Sequence, residues 1–514
     1  MTDRARSPTP SNDSHRLSPI ADRPPRPRVE QPIVPGRDAR GEAAMPLVVD
    51  LPSPPYTAFT SRQRILIITI ASLSATFSGF ASNIYFPAIP TMASALHTSV
   101  ENINLTVTTY MIFQAISPTL WAVISDTYGR RITLMCTFVV FLSACIGLAL
   151  TTRLYQLLIL RCLQSFGSAS TIAIGAGIVG DVTAREERGG FMGVFQTGLL
   201  LPLAIGPVLG GVFAETLGWR AIFWFLTIYA GVFLAFLTLC FPETLRSLVG
   251  NGSINPPPLA RAPLEHLVAS RDDTKLGTFP PGRLHVDWGG TFRILFLPEV
   301  VFVLLFLSLH YATWQMTLTA QSSLFASEYN LSEIALGLTF LANGLGCMLG
   351  SLSTGKLLDI DYRRFKGKFT GDPHDFPIEQ ARLRTLWLWA PVQWGSVLLF
   401  GWTIDRHVHL AAPIIATFGL AWTSMSTQSV ITTYLVDIFP KRSASATAAV
   451  NLARCLMGAG ATASVNPTIA AIGVGWTFTL WTGLMALSLA FVAVEMRYGA
   501  IWRKWREAKE AQGD

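Results

Sequence analysis

Apolar runs of membrane-crossing length recur along most of the chain, separated by short polar turns. The first covers about Ile65 to Tyr85, and further runs follow near 105–125, 132–150, 154–177, 190–213 and 221–241. The chain then turns polar from Pro242 to about Arg293, through a triple proline at 256–258. Six more runs follow near 299–320, 335–355, 385–404, 412–436, 444–469 and 476–495. A helix of about 20 apolar residues bridges the hydrocarbon core of a bilayer, and a helix satisfies its own backbone there. The pattern predicts an all-α polytopic membrane protein with twelve transmembrane helices in two pseudo-symmetric six-helix halves, 61–241 and 294–496. Residues 242–293 then form a central loop and 497–514 a C-terminal tail. Residues 1–60, rich in proline, arginine, serine and aspartate, read as a disordered N-terminal tail without the apolar core of a signal peptide.

Half of the 514 residues are hydrophobic and 14% are charged, a balance typical of membrane proteins. The formal net charge of +7 is not a nucleic-acid footprint, because the basic residues gather in loops and tails rather than on one face. Counted from a cytoplasmic N-terminus, the inner loops hold Arg130, Arg131, Arg185, Arg188, Arg363, Arg364, Lys366, Lys368, Arg382, Arg384, Lys441 and Arg442. The outer loops hold Arg153, Arg220 and Arg406. That excess predicts that both termini and the central loop are cytoplasmic. The six cysteines fall inside predicted spans without CxxC or metal-ligand spacing, so neither disulfides nor a metal site is expected.

Two arginines interrupt the apolar runs. Arg161 stands about two turns into the fourth span from its outer end, and Arg454 about three turns into the eleventh from its inner end. A charge inside a span is costly and marks a functional candidate. Two such guanidiniums need carbonyls, amides, carboxylates or a bound anion. The spans offer no aspartate or glutamate at mid-depth, since Glu215, Glu299, Asp437 and Glu495 all stand near span ends. The halves also echo each other. Asp126 precedes Arg130 and Arg131 after the second span, and Asp359 precedes Arg363 and Arg364 after the eighth, with the same spacing. Internal repeats of this kind build transporters whose substrate site lies between them.

These residues resemble the major facilitator superfamily over about residues 60 to 500. Asp126, Gly129, Arg130 and Arg131 match its loop motif Gly-x-x-x-Asp-Arg-x-Gly-Arg-Arg, with Ala122 and Thr127 as departures. Arg161, Gln164 and Gly167 match the span-four motif, whose arginine the family links to proton coupling. Gly206, Pro207, Gly210 and Gly211 match the span-five antiporter motif, with Pro202 in place of its first glycine. Pro242-Glu243-Thr244 is also similar to the family. The set resembles the twelve-span drug:proton antiporter subfamily. The stretches Ser82–Pro87, Asn104–Tyr110 and Arg161–Asp181 are similar to fungal quinidine-resistance-type multidrug transporters. The resemblance implies a twelve-helix facilitator fold and export of drugs, weak acids, polyamines or cellular metabolites.

Beside the resemblance stand physical roles. Asp126, Arg130 and Arg131, with Asp359 and Arg363, are read as a charge latch between the halves. Gly206, Pro207, Gly210 and Gly211 make the fifth span thin and kinked. His310, beside Tyr311, Trp314 and Gln315, is the intramembrane group able to change charge near neutral pH, although a hydrogen-bonded structural role is the plainer reading. Tyr110, Gln114, Gln164, Trp314, Gln315, Asn343, Trp422, Gln428 and Asn451 are candidate cavity residues. Without a deep carboxylate, a cavity carrying Arg161, Arg454 and His310 would be electropositive and suit anionic or neutral substrates. The expected protein is a monomeric plasma-membrane exporter of small organic molecules, drug, toxin, metabolite or organic acid, needing only the proton gradient and no cofactor. A uniporter or importer and a transport-inactive sensor are the rivals. No G-x-S-x-G motif, histidine cluster or paired intramembrane carboxylate suggests an enzyme.

Overall fold

A computed structural model describes residues 56–184, 187–264, 272–276, 288–368, 377–439 and 442–511. The helices are α1 Ser61–Asn83, α2 Ile89–Ala95, α3 Val100–Tyr128, α4 Arg130–Ala149, α5 Leu154–Ser168, α6 Ser170–Val182, α7 Arg188–Leu217, α8 Arg220–Cys240 and α9 Arg246–Val249. Then come α10 Trp288–Leu295, α11 Pro298–Glu328, α12 Glu333–Lys368, α13 Ile378–Leu383, α14 Leu386–Asp405, α15 Ala411–Ile438, α16 Ser443–Ile472 and α17 Val474–Ala511. A short parallel pair, β1 Ile254–Asn255 and β2 Asp272–Leu276, is the only sheet among the described residues.

Local chemistry sets the helix ends. Thr60 caps α1 in a reciprocal capping box with Gln63, Ser99 caps α3, and Pro298 opens α11 where no backbone donor is needed. Gly129, at φ 107°, ends α3 and turns the chain directly into α4.

Among the described residues, ten helical stretches are long and apolar enough to cross a membrane: α1 with α2, α3, α4, α5 with α6, α7, α8, α11, α12, α16 and α17. Helices α14 and α15 have spanning length, but tryptophans and Pro391 in one and a run of serines and threonines in the other dilute their hydropathy. The outer surface is apolar: Ile228 and Val232, one turn apart on α8, are 65% and 67% exposed. Such a face is costly in water and at rest in lipid. This is a multi-pass membrane protein.

Inside, α7 packs between α1 and α12, and α16 between α3 and α11, while α12 and α14 pack on α15, and α11 and α14 on α17. One buried cluster runs through α1 to α8 and into α11, α12 and α14 to α17. A second, including Val303, Leu386, Ile431, Val450 and Val492, lies between α11 and α17.

The structure revises several sequence boundaries. Residues 56–60 are no loose tail: Phe59 is buried against Gly252, and the Ala58 N–H donates to the Asn251 carbonyl. Residues 1–55 lie outside the described residues. The central loop begins as folded structure, with α9 and β1, and α10 starts inside it at Trp288. The fourth span divides at Ala169 into α5 and α6, and α7 runs unbroken through Pro202 and Pro207. The expected C-terminal tail is helical to Ala511, because α17 presents Arg503 and Arg506 to buried glutamates.

Candidate functional site

Arg161 is 1% exposed, and among the described residues no carboxylate pairs with it. One Nη donates to the Ala81 carbonyl at 2.9 Å and to Gln164 Oε1 at 2.5 Å. Tyr85, at the end of the first span, and Tyr110 on α3 place their rings 4.4 Å from the guanidinium carbon. Cation–π contact of this kind is worth about 1–2 kcal/mol each when dry, less than the cost of burying an unpaired charge. Among the described residues, Nε and the second Nη have no hydrogen-bond partner. Gln164 is oriented from behind by its bond to Cys145 Sγ, and Tyr110 by its hydroxyl contact to Ser168 at 2.9 Å. Tyr85 is bound to Thr106 Oγ1 at 2.8 Å. Sequence reasoning chose Arg161, Gln164 and Tyr110 but missed Tyr85, which stands in the quoted Ser82–Pro87 stretch.

The second arginine, on α16, is tied to α3 through Asn451. Arg454 donates to Asn451 Oδ1 at 2.9 Å and sits 4.7 Å from the Tyr311 ring centre. Asn451 donates in turn to the Gln114 carbonyl at 2.9 Å. Tyr311 meets Trp314 edge-on at 5.6 Å, and the Trp314 indole N–H donates to Asn343 Oδ1 at 2.8 Å. Five of the cavity candidates (Tyr110, Gln114, Trp314, Asn343 and Asn451) thus lie on or beside one polar and aromatic network over α3, α11, α12 and α16. No ion pair reaches Arg454 among the described residues.

Other candidates lie elsewhere. Trp422 donates to Ser353 and packs between Trp389 and Phe418, which makes it a wedge between α12, α14 and α15. Gln315 and Gln428 make no side-chain hydrogen bond among the described residues. His310 is fully buried, with Nδ1 2.9 Å from the Phe306 carbonyl and Nε2 accepting from the Trp394 indole at 3.3 Å. One neutral tautomer satisfies both nitrogens, so the geometry favours the structural reading over proton carriage.

The span-five motif lies in a seam of backbone contacts. A Cβ on Gly210 would stand 1.6 Å from the Ile84 carbonyl, and one on Gly211 2.2 Å from the Glu333 carbonyl. Gly337 and Gly344 of α12 press on the Pro207 carbonyl and on Ala204 in the same way. Gly206 has ordinary contacts. Glu215 closes the seam by accepting from the Ile334 N–H at 2.8 Å. Nearby, Ser322 donates to the Phe86 carbonyl, and Thr108 meets Thr462 at 3.2 Å.

The charge cluster lies at the opposite ends of these helices. Arg130 bonds Asp126 at 2.5 Å and Asp181 at 2.9 Å, and Arg131 donates to the Thr238 carbonyl. Glu243 accepts the backbone N–H groups of Arg130, Arg131, Thr244 and Leu245, capping α4. Burial pushes its carboxyl above the usual range, and those four donors draw it back. These bonds join α3, α4, α6 and the chain after α8. Of the echoing pair, the side chain of Asp359 lies outside the described residues, and Arg363 is exposed. Before α14, Arg382 binds Asp437 of α15 at 2.7 Å, with its guanidinium carbon 4.2 Å from the Tyr362 ring centre.

The family comparisons agree with this architecture. The profile described as Major Facilitator Superfamily matches residues 71–462. Citrate exporter 1 of Aspergillus niger is 39% identical over 89% of this chain and 90% of its own. The MFS antiporter QDR2 of Candida albicans is 34% identical over 86% and 90%, and the probable transporter AQR1 of Saccharomyces cerevisiae 34% over 89% and 80%. With a polar network held inside a helical membrane bundle and matches of this extent, the chain belongs to the major facilitator superfamily and is a membrane transporter of small organic molecules, not an enzyme.

Proposed function

We propose that this transporter exports small organic anions, carboxylates first among them, in exchange for protons. One observation carries the reading: Arg161 and Arg454 are both held beside α3 by aromatic and amide partners, and among the described residues no carboxylate pairs with either. A lipophilic cation would meet like charge there, whereas a carboxylate would supply the missing acceptors. The resemblance to Citrate exporter 1 supports an acid among the substrates. The multidrug relatives support the second reading, a drug or toxin.

Twelve spans in two six-helix halves are the reading that counts α14 and α15 with the ten apolar helices. The positive-inside excess supports a cytoplasmic position for both termini, and the plasma membrane is the membrane this reading takes. The glycine seam then lies on the outer side, and the Arg130 cluster would latch the halves on the inner side when they rock. Proton exchange rests on the family's antiporter motif.

The test is metabolite profiling of the medium from a strain lacking the transporter, its parent and a strain carrying Arg454→Ala. A secreted acid missing from both mutants supports anion export. An unchanged medium together with new sensitivity to lipophilic drugs overturns it in favour of the drug reading.

A further inference from the structure

Three buried glutamates gather on the helices that form the second core cluster, away from both arginines of the transport network. Glu299 opens α11, Glu379 lies in the first turn of α13 and Glu495 lies on α17, at 2%, 1% and 0% exposure. Glu299 is paired with Arg506 at 2.7 Å, and Glu379 with Arg503 at 2.8 Å. Glu495 has no ion pair. Its Oε1 takes the Tyr434 hydroxyl at 2.6 Å, and its Oε2 is buried without a donor. The second oxygen of Glu379 is also buried without a donor. Both carboxylates rest on Gly499: a Cβ there would lie 2.4 Å from Glu495 Oε1 and 3.0 Å from Glu379 Cγ.

Among the described residues no further cation pairs with Glu495: on its own helix Arg497 faces the Tyr498 ring and Lys509 the Trp505 ring. On α15, besides Tyr434, Asp437 is bound to Arg382 ahead of α14. On α17, Glu507 stands 3.8 Å from Arg503. The charged residue of α14 is Asp405, at its far end, and that of α16 is Arg454, held in the Asn451 network. Three buried carboxylates thus face two arginines. An unpaired buried carboxylate is expensive, and adjoining carboxylates cannot both ionise cheaply.

We propose that Glu379 and Glu495 share one proton, forming a proton-binding site that ties α13 to α17. The proton supplies the donor that the two bare oxygens lack and leaves two carboxylates against two arginines. Its loss puts an uncompensated charge between α13, α15 and α17 and loosens them. This end of the helices then responds to the pH of the water it meets, independently of which substrate is carried.

The test uses the purified full-length transporter and Glu495→Gln, which keeps the acceptor for Tyr434 and imitates the protonated form. Infrared spectra at pH 7 should show a protonated-carboxyl stretch that shifts in heavy water, bleaches in alkali and is missing from the variant. A free glutamate ionises near pH 4.3, so a proton kept in the fold makes stability fall as pH rises. The wild type should therefore lose thermal stability relative to Glu495→Gln from about pH 5 through neutrality. A pH 7 spectrum without the band, the same band in both proteins, parallel stability curves, or a variant that fails to fold would overturn the proposal. Each readout is independent of transport, so failure of the anion-export reading leaves this test intact.

Discussion

The side-chain amide of Asn451 donates to the backbone carbonyl of Gln114 at 2.9 Å, while its oxygen holds the Arg454 guanidinium. One residue both joins α16 to α3 and aims a buried charge. Asn451→Ala removes both bonds. At about 1 kcal/mol per hydrogen bond, substrate KM should rise roughly tenfold with little change in the amount of protein in the membrane. Uptake into vesicles, measured with Western quantification of the transporter, checks it.

Arg161 depends on planarity as much as charge. Arg161→Lys keeps the cation but loses the paired stacking on Tyr85 and Tyr110 and the planar group that holds one Nη between Ala81 and Gln164. Transport should fall by about tenfold or more, and Tyr85→Phe, which keeps the ring, should stay near wild type. Equal losses in the two variants would show that the Tyr85 hydroxyl, not its ring face, is what matters.

His310 has both nitrogens occupied. His310→Gln should therefore lower thermal stability, by about 1–3 kcal/mol for the bonds it leaves open, yet keep the pH profile of transport. A flattened pH profile in that variant would assign proton carriage to His310 after all.

At the charge cluster, Asp181 is 14% exposed and Asp126 64% exposed, though both bind Arg130. Burial decides the cost of breaking each pair. Asp181→Asn should destabilise by about 3 kcal/mol and Asp126→Asn by under about 1 kcal/mol. Transport should fall in Asp126→Asn only if the latch matters in another state of the cycle. Unfolding of the two purified variants, alongside vesicle transport, separates stability from gating.

The glycine seam gives a sharper contrast. A methyl at Gly210 meets a carbonyl of the neighbouring backbone, which has no rotamer to turn away, whereas Gly460 of α16 faces open space. Gly210→Ala should lower stability by about 1–3 kcal/mol and impair surface expression, with Gly460→Ala as the silent control.

How far the sequence could be read follows from the same residues. Arg161 and Arg454 were visible because a charge in an apolar run is locally improbable, and the glycines because they break a pattern of large residues. Tyr85 was not, since an aromatic residue at a span end is ordinary and only the fold brings it over Arg161. Asp359 and Arg363 repeat the spacing of Asp126 and Arg130, whereas the ion pair of Arg382 with Asp437 joins residues 55 positions apart that no local spacing signals. Spacing along a chain does not record which turn of a later helix comes to rest beside it. Likewise Glu379 and Glu495, 116 positions apart in the numbering, meet only because α13 and α17 pack together.

Around Gly210, Gly211 and Gly337 the seam presses on main-chain atoms, whereas the network around Arg454 is held chiefly by side chains. If that network binds the cargo, changes to Tyr311, Trp314 or Asn343 would alter what it recognises and leave those main-chain contacts in place. Such a protein can acquire a new cargo by a few substitutions while its moving parts stay as they were.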